Sequence, residues 1–328
     1  MKYRILGKTG FKVSEISLGT WQLGGGWGKP YDEKTAEAVL ETALAQGITF
    51  FDTADVYSDG KSEASVGSFV RRHRDSVRFA TKCGRRLNPH TDQSYTPASL
   101  RSFVEDSLRN TGLERLDLIQ LHCPPTPVYY RPEIFEEFER LRDEGKIDRF
   151  GVSVEKAEEG LKAIEYPNVD TVQIIFNIFR QRPAELFFRE AAAKNIGVIV
   201  RVPLASGLLA GKMTEATLFE AGDHRTFNRN GEAFDKGETF SGVPLPDGLR
   251  AVERLREIFP PEPSMAVRSL RWILDHPEVS CVIPGASRPD QIPRNCAASE
   301  AEPLPQAEHT QIRRIYEVDI KPLVHQRW

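Results

Sequence analysis

Short apolar runs alternate along this chain with longer segments whose apolar residues recur at helical spacing. The runs start near positions 16, 49, 77, 116, 149, 171, 197 and 279, and they are continuous rather than alternating with polar residues. Continuous runs suit strands buried on both faces, as in a parallel sheet covered by helices. Between them the spacing predicts helices over 33–46, 63–72, 97–110, 132–144, 155–165 and near 184–194. Further ones are predicted over 247–258, 264–276 and about 305–318. Boundary residues agree. Thr96 precedes Pro97 as an N-cap with proline at the first helical position, and Gly145 ends the helix that Pro132 opens.

Eight strand–helix units predict an α/β fold, a (β/α)8 TIM barrel. A doubly wound open sheet competes with it, but the G-x-G-x-x-G expected after its first strand is missing. Residues 3–13, with Gly7-Lys8-Thr9-Gly10 between two short runs, read as an N-terminal β-hairpin. The alternation lapses between about 205 and 246, a long polar loop after the seventh strand. Its place beyond a strand's C-terminal end, where barrel active sites lie, predicts a lid. No repeat or linker divides the chain, so residues 1–328 are expected to form one domain.

Composition narrows the function. A formal net charge of −3 argues against a broad nucleic-acid-binding face. No apolar segment approaches the ~20 residues of a membrane span, and the N-terminal stretch lacks the core of a signal peptide. Cys83, Cys123, Cys281 and Cys296 form no C-x-x-C pair, which fits reduced thiols in a cytoplasmic protein. Gly24-Gly25-Gly26-Trp27-Gly28-Lys29 invites a phosphate-loop reading but has Pro30 where Ser or Thr is needed. It is expected to be a mobile loop beside a pocket.

Four side chains carry the candidate chemistry. Asp52 ends the second strand and Tyr57 follows it; Lys82 and His122 end the third and fourth. In a barrel all four converge on one mouth. Taken singly, Asp52, Tyr57 and His122 have plainer readings as a turn former, a packing residue and a structural histidine, whereas an ammonium ending an apolar strand, as at Lys82, resists burial unless paired. Together they can act as a unit. Asp52 pairs with Lys82 and keeps it charged, Lys82 favours the phenolate of Tyr57, and His122 orients or protonates a substrate oxygen. This suits protonation of an alkoxide formed when hydride adds to a carbonyl. No protein side chain donates hydride, so a nicotinamide cofactor is implied.

With these residues in view, the chain resembles the aldo-keto reductases. The likeness rests on Leu6–Gly10, Leu18-Gly19-Thr20-Trp21, Phe51–Tyr57, Thr81-Lys82, Leu121-His122 and Gly151-Val152-Ser153. Val172-Gln173, Pro203–Lys212 and Ile283–Ser287 extend it through the C-terminal half. The resemblance implies reduction of aldehydes or ketones with NADPH. It also implies a set of cofactor contacts. Ser153 and Gln173 would hold the carboxamide, with Gly19, Thr20, Trp21 and Asp52 beside them. Pro203, Leu204, Ser206, Gly207, Leu208 and Lys212 would hold the pyrophosphate. Gly285, Ser287, Arg288, Gln291 and Asn295 would hold the adenosine end, Ser287 and Arg288 meeting a 2′-phosphate.

Three departures stand out. Val154 replaces a common Asn, and Gly285 and Gln291 replace a basic 2′-phosphate signature. Arg201 stands where many members stack an aromatic ring on the nicotinamide, and is expected to contact the cofactor by stacking its guanidinium there instead. NADP is expected, with NAD possible. The pocket wall is expected to include Trp21, Trp27, Tyr129 and Phe227. The expected partner is a small carbonyl substrate, with homo-oligomer formation open. A nicotinamide-sensing regulatory subunit resembling potassium-channel β-subunits is the alternative, although no long arm precedes the hairpin. A glycosidase would need two free carboxylates, and Asp52 is expected to be committed to Lys82.

Overall fold

The computed structural model describes residues 1–25 and 29–328. Strands β1 (Tyr3–Ile5) and β2 (Lys12–Ser14) form the predicted antiparallel hairpin. Eight parallel strands follow: β3 (Leu18–Gly19), β4 (Phe50–Asp52), β5 (Arg78–Cys83) and β6 (Leu116–His122), then β7 (Ile147–Ser153), β8 (Thr171–Ile175), β9 (Gly197–Arg201) and β10 (Val279–Val282). Each pairs with its neighbour in sequence order. Parallel bridges Ile16–Val282 and Gly19–Gly285 bring the last strand back to the first, and Ser17 N donates to Val282 O at 2.8 Å. The predicted TIM barrel is therefore observed.

Inward and outward residues alternate along each strand. The outward set, including Phe51, Phe79, Ile119, Phe150, Val172 and Val198, packs under the helices in the main core. The inward set starts with an apolar layer of Phe50, Ala80, Leu118, Ile199 and Cys281, joined by Leu6 and Val13 of the hairpin. The hairpin thus plugs the lower end of the barrel. It lies so close that a Cβ on Gly7 would come within 2.1 Å of Gly197 N.

The predicted helices are found at Glu33–Ala45, Lys61–Arg72, Pro97–Thr111, Pro132–Asp143, Ala157–Ala163, Phe187–Ala193, Leu245–Ile258, Met265–Leu274 and Gln306–Ile315. Thr96 does cap its helix, its hydroxyl accepting from Ser99 N at 3.1 Å. One further helix, Gln291–Glu300, is absent from the sequence reading. Pro293 lies in its first turn, where a proline's missing N–H has no intrahelical partner to lose. Residues 26–28 of the glycine-rich loop, including Trp27, lie outside the described residues.

The 205–246 segment folds as short turns of helix at Ala205–Ala210, His224–Phe227, Lys236–Glu238 and Phe240–Gly242. It has a buried side of its own, with Leu208, Leu209, Asn228, Thr239 and Phe240 all sequestered. Asn177 Nδ2 donates to Ser241 Oγ at 2.8 Å and to Val202 O at 2.9 Å, which fastens the segment beside the end of β9.

Gly151 of β7 faces Thr171 of β8 with no room for a side chain. An added Cβ there would sit 2.0 Å from Thr171 Oγ1 and 2.8 Å from Thr171 O. Gly151→Ala should therefore cost about 1–3 kcal/mol through overpacking of a buried strand pair. The check is a chemical-denaturation midpoint; a midpoint equal to wild type would show that β7 and β8 are not so tightly apposed.

Candidate active site

Two residues beyond the apolar layer, the same inward face becomes polar. Phe50 is followed by Asp52, Ala80 by Lys82, and Leu118 by Gln120 and then His122. Gly151 leads to Ser153, Thr171 to Gln173, and Ile199 to Arg201. Strand periodicity alone brings these side chains together at the C-terminal mouth.

At the centre, Lys82 Nζ lies 2.5 Å from Asp52 Oδ1, 2.8 Å from Thr53 O and 3.2 Å from the Tyr57 hydroxyl. These satisfy all three ammonium protons. Asp52 and Lys82 are buried, and Asp52 Oδ2 accepts from Gln173 Nε2 at 2.7 Å and Gln120 Nε2 at 3.2 Å. The His122 ring stands edge-on to Tyr57 with centroids 5.9 Å apart. All four predicted catalytic residues thus share one site. Gln120 was missed, although its place two residues before His122 marks it as inward-facing.

Burial pulls the Lys82 ammonium down, but Asp52 and Tyr57 outweigh it and hold the group above its ordinary value. The expected lowering of Tyr57 is not the net result. Burial raises the phenol by more than the charge of Lys82 lowers it. The phenol consequently keeps its proton at neutral pH, and Lys82 stands ready to stabilise the phenolate that donation would leave. Burial, with Arg85, Lys82 and Arg201 nearby, depresses His122 well below its usual range. A neutral imidazole can donate a hydrogen bond to a carbonyl oxygen but is not a standing acid.

The remaining predicted contacts divide into those that face the mouth and those with structural work. Gln173 commits its amide N–H to Asp52, leaving its carbonyl oxygen for a carboxamide. Ser153 Oγ lies 3.5 Å from Cys123 Sγ. Thr20 is occupied below the mouth, its N–H and hydroxyl both donating to Asp52 O at 2.9 Å. Gly19 allows β3 to approach β10, since a Cβ would lie 2.7 Å from Ile283 O. Tyr129 is not a pocket wall. It is fully buried under the barrel top, its hydroxyl 3.4 Å from Ser153 O. Trp21 does line the mouth, with ring centroids 6.4 Å from Tyr57, 5.1 Å from His224 and 6.1 Å from Phe234. Phe227 meets Phe234 at 5.9 Å, one ring further out.

Arg201 does not present a bare guanidinium. It donates to Glu155 Oε2 at 2.9 Å and Val154 O at 3.2 Å, and lies 3.6 Å from Glu238 Oε1. Glu238 also accepts from Arg85 at 3.0 Å. None of Glu155, Glu238 or Arg85 was singled out from the sequence. Their signal is a contact between distant segments, which periodicity does not encode.

The residues present fit a nicotinamide dinucleotide. His122 Nδ1 is buried with no hydrogen-bond partner among the described residues, an orphan beside the proton donor. Above β9, Val202, Ala205, Ser206 and Gly207 all take positive φ, of 51°, 46°, 55° and 96°. Backbone of this kind is retained chiefly where it shapes a site. Pro203, Leu204 and Leu208 belong to this same loop, and Lys212 is exposed just past it. Loops after the seventh and eighth barrel strands, with the N-terminus of a short helix, are a recurrent phosphate site in this fold. Here that helix is Gln291–Glu300. Gln291 Oε1 accepts from Ser287 N at 2.8 Å and Arg288 N at 3.0 Å, which sets the loop rather than leaving that oxygen free. Arg288 is exposed and paired with Asp290 at 3.0 Å. Gly285 is exposed at the loop's start and Asn295 half-buried one turn along the helix. Ser206 Oγ is also spoken for: it donates to Glu238 O at 3.1 Å and accepts from Phe240 N at 3.0 Å.

Comparison with known proteins agrees with this geometry. Residues 15–317 match the Aldo/keto reductase family. The chain belongs to that family. The aldo-keto reductase YhdN of Bacillus subtilis is 33% identical over 299 residues, which are 89% of this chain and 87% of that protein. The NADH-specific methylglyoxal reductase of Escherichia coli is 28% identical over 340 aligned positions, covering 97% of this chain and 99% of the relative. Among solved structures, the holo form of aldo-keto reductase AKR11C1 from Bacillus halodurans superposes with a TM-score of 0.76 at 28% identity, covering 96% of each chain.

One acid beside this reductase's site has no evident proton-handling role. Asp55 is buried, neither carboxyl oxygen has a hydrogen-bond partner among the described residues, and burial with nearby Glu63 raises it to about 7. Between 3.8 and about 7 the folded chain holds a proton that the unfolded chain has released, so Asp55 costs stability as pH rises through that window. Asp55→Asn should stabilise the protein above that window and make no difference below it. Denaturation curves across pH check this, and a gain independent of pH would refute it.

Proposed function

We propose that this aldo-keto reductase reduces small aldehydes or ketones to alcohols, with Tyr57 delivering the proton. The observation that carries this reading is the Tyr57 hydroxyl 3.2 Å from an ammonium that is itself locked to buried Asp52. A bound nicotinamide cofactor would supply the hydride. Ser153 and the Gln173 oxygen would hold its carboxamide, and the loops above β9 and β10 with Lys212 its phosphates.

The chain's own residues account for the rest. Neutral His122 donates to the carbonyl oxygen and fixes it opposite the phenol. Charge growing on that oxygen draws the proton from Tyr57, and Lys82 stabilises the phenolate left behind. Asp52, held by Gln120 and Gln173, keeps Lys82 charged and aimed. Trp21 and the 205–246 segment cover the mouth, which keeps water from the developing charge. NADPH preference is supported by Ser287 and Arg288 at the loop above β10. The Arg288–Asp290 pair and the unmatched basic signature support use of NADH as well. Four free, buried thiols fit a reducing compartment such as the cytoplasm. Among the described residues no helix is long and apolar enough to cross a membrane.

Tyr57→Phe separates the reductase from a cofactor-sensing regulatory subunit. Removing the general acid should lower turnover of a small aldehyde by about 10²–10⁴-fold, with nucleotide affinity by fluorescence titration nearly unchanged. Turnover near wild type would eliminate Tyr57 as the acid. Nucleotide binding by wild type without turnover of any aldehyde or ketone would favour the regulatory reading. In the same titrations, tighter binding of NADPH than NADH is expected if Ser287 and Arg288 meet a 2′-phosphate; equal affinities would remove them from that role.

A further inference from the structure

Beside the aromatic wall, with the Arg85 guanidinium 5.7 Å from the Phe234 ring centroid, lies a cluster of paired charges that the proton-handling scheme leaves unused. Arg85 stands just beyond β5 and Arg201 ends β9. In the barrel these two strands have three others between them on either side, so the guanidiniums reach in from opposite rims. Glu238, carried by the 205–246 segment, sits between them. Its Oε1 is 3.0 Å from Arg85 and 3.6 Å from Arg201. Only 6% of the residue is exposed. Ser206 holds its backbone on both sides, donating to Glu238 O and accepting from Phe240 N. Glu155 takes the other side of Arg201. Arg180, buried behind them, feels the charges of Glu155, Asp235 and Glu238. Arg85 and Arg201 therefore each face a carboxylate, while Arg180 donates to the Glu155 backbone oxygen.

We propose that Glu238 is a specificity-determining residue: by occupying Arg85 and Arg201, it selects uncharged carbonyl substrates against those bearing a carboxylate. This rests on the carbonyl-reductase reading above. The cluster lies within electrostatic reach of the reacting groups, since Glu238 acts on Tyr57 while Arg85 and Arg201 act on His122. A carbonyl held by Tyr57 and His122 has its substituent within reach of this cluster, which adjoins the aromatic wall. A carboxylate arriving there finds both guanidiniums committed and two carboxylates facing it. It must displace Glu238 or lose its hydration without a partner. A neutral substituent meets neither penalty. Specificity of this kind works by penalising the wrong ligand rather than by adding contacts to the right one.

Two plainer readings are separable from this one. Cys123, Glu155 and Glu238 place ligand atoms within 4.8 Å of one another, the spacing of a metal site. The two guanidiniums already meet those carboxylates' charge, so a metal ion has little to gain. Glu238 could also be only a fastener for the covering segment. In that case its loss would change all substrates alike.

The test compares 4-formylbenzoate with its methyl ester, nearly equal in size but differing by one charge. Wild type should favour the ester by about tenfold or more in kcat/KM. Glu238→Gln, which frees the guanidiniums, should shift that ratio by about tenfold or more toward the carboxylate, mainly through its KM. Glu238→Asp keeps the charge and should keep the wild-type preference even if overall activity falls. Arg85→Gln, a second route should Glu238→Gln not fold, removes a cation while leaving Glu238 and should sharpen discrimination against the carboxylate. The proposal is overturned if wild type prefers the carboxylate, if the ratio is unmoved in Glu238→Gln or Arg85→Gln, or if the Gln and Asp variants shift it equally. Turnover of neither aldehyde by wild type with NADPH or NADH would overturn the reductase reading, and this inference with it. An unmoved ratio in an active enzyme overturns this inference alone.

Discussion

The buried pair Asp52–Lys82 is the constraint on which the rest of the site depends. Removing an ammonium and a carboxylate from water costs several kcal/mol per ion, and a single contact at 2.5 Å does not recover it without further partners. The barrel supplies them. Thr53 O and the Tyr57 hydroxyl complete the lysine's coordination, while Gln120 and Gln173 complete the aspartate's. These partners come from β6, β8 and the loop that follows β4. Closing the barrel and satisfying the ion pair are therefore the same event, and the Tyr57 hydroxyl is fixed by it.

The fold and this centre were legible because both follow from a period of two. Continuous apolar runs marked the strands, and the residue at each run's C-terminal end marked the mouth. The parity that puts Phe50, Ala80 and Leu118 in the hairpin-plugged floor also puts Asp52, Lys82 and Gln120 above them. Asp52, Lys82 and His122 were visible as polar residues ending apolar strands, where an ammonium has no reason to be unless paired. Gln120 followed the same rule, yet a glutamine inside a strand draws less notice than a charge.

What was not legible depends on contacts that the chain makes with itself at long range. The covering segment has no periodicity, so Glu238 read as one acid among many. Nothing local points it at Arg85, more than a hundred residues earlier. Tyr129 read as a pocket aromatic, but packing within the main core buries it instead. The direction of the Tyr57 shift was misjudged for a related reason. The convergence of strand ends showed the cation that lowers the phenol and not the burial that raises it, and burial is the larger effect here.

Arg201 shows how a departure from a family pattern propagates. An aromatic ring at the end of β9 could be buried without a counterion. A guanidinium there cannot, so it requires partners: Glu155, the Val154 carbonyl and Cys123 Sγ accept its hydrogen bonds, and Glu238 lies 3.6 Å away as a counter-charge. The Val154 side chain is apolar, but its backbone oxygen supplies what the pairing needs. Glu238 ties the covering segment to both rims, so the charge at Arg201 and the position of that segment are linked. The arginine at this position thus comes with the acceptors that neutralise it. It exchanges a stacking surface for a neutralised charge cluster, and the chemistry of the mouth changes with it while the proton-handling centre below does not.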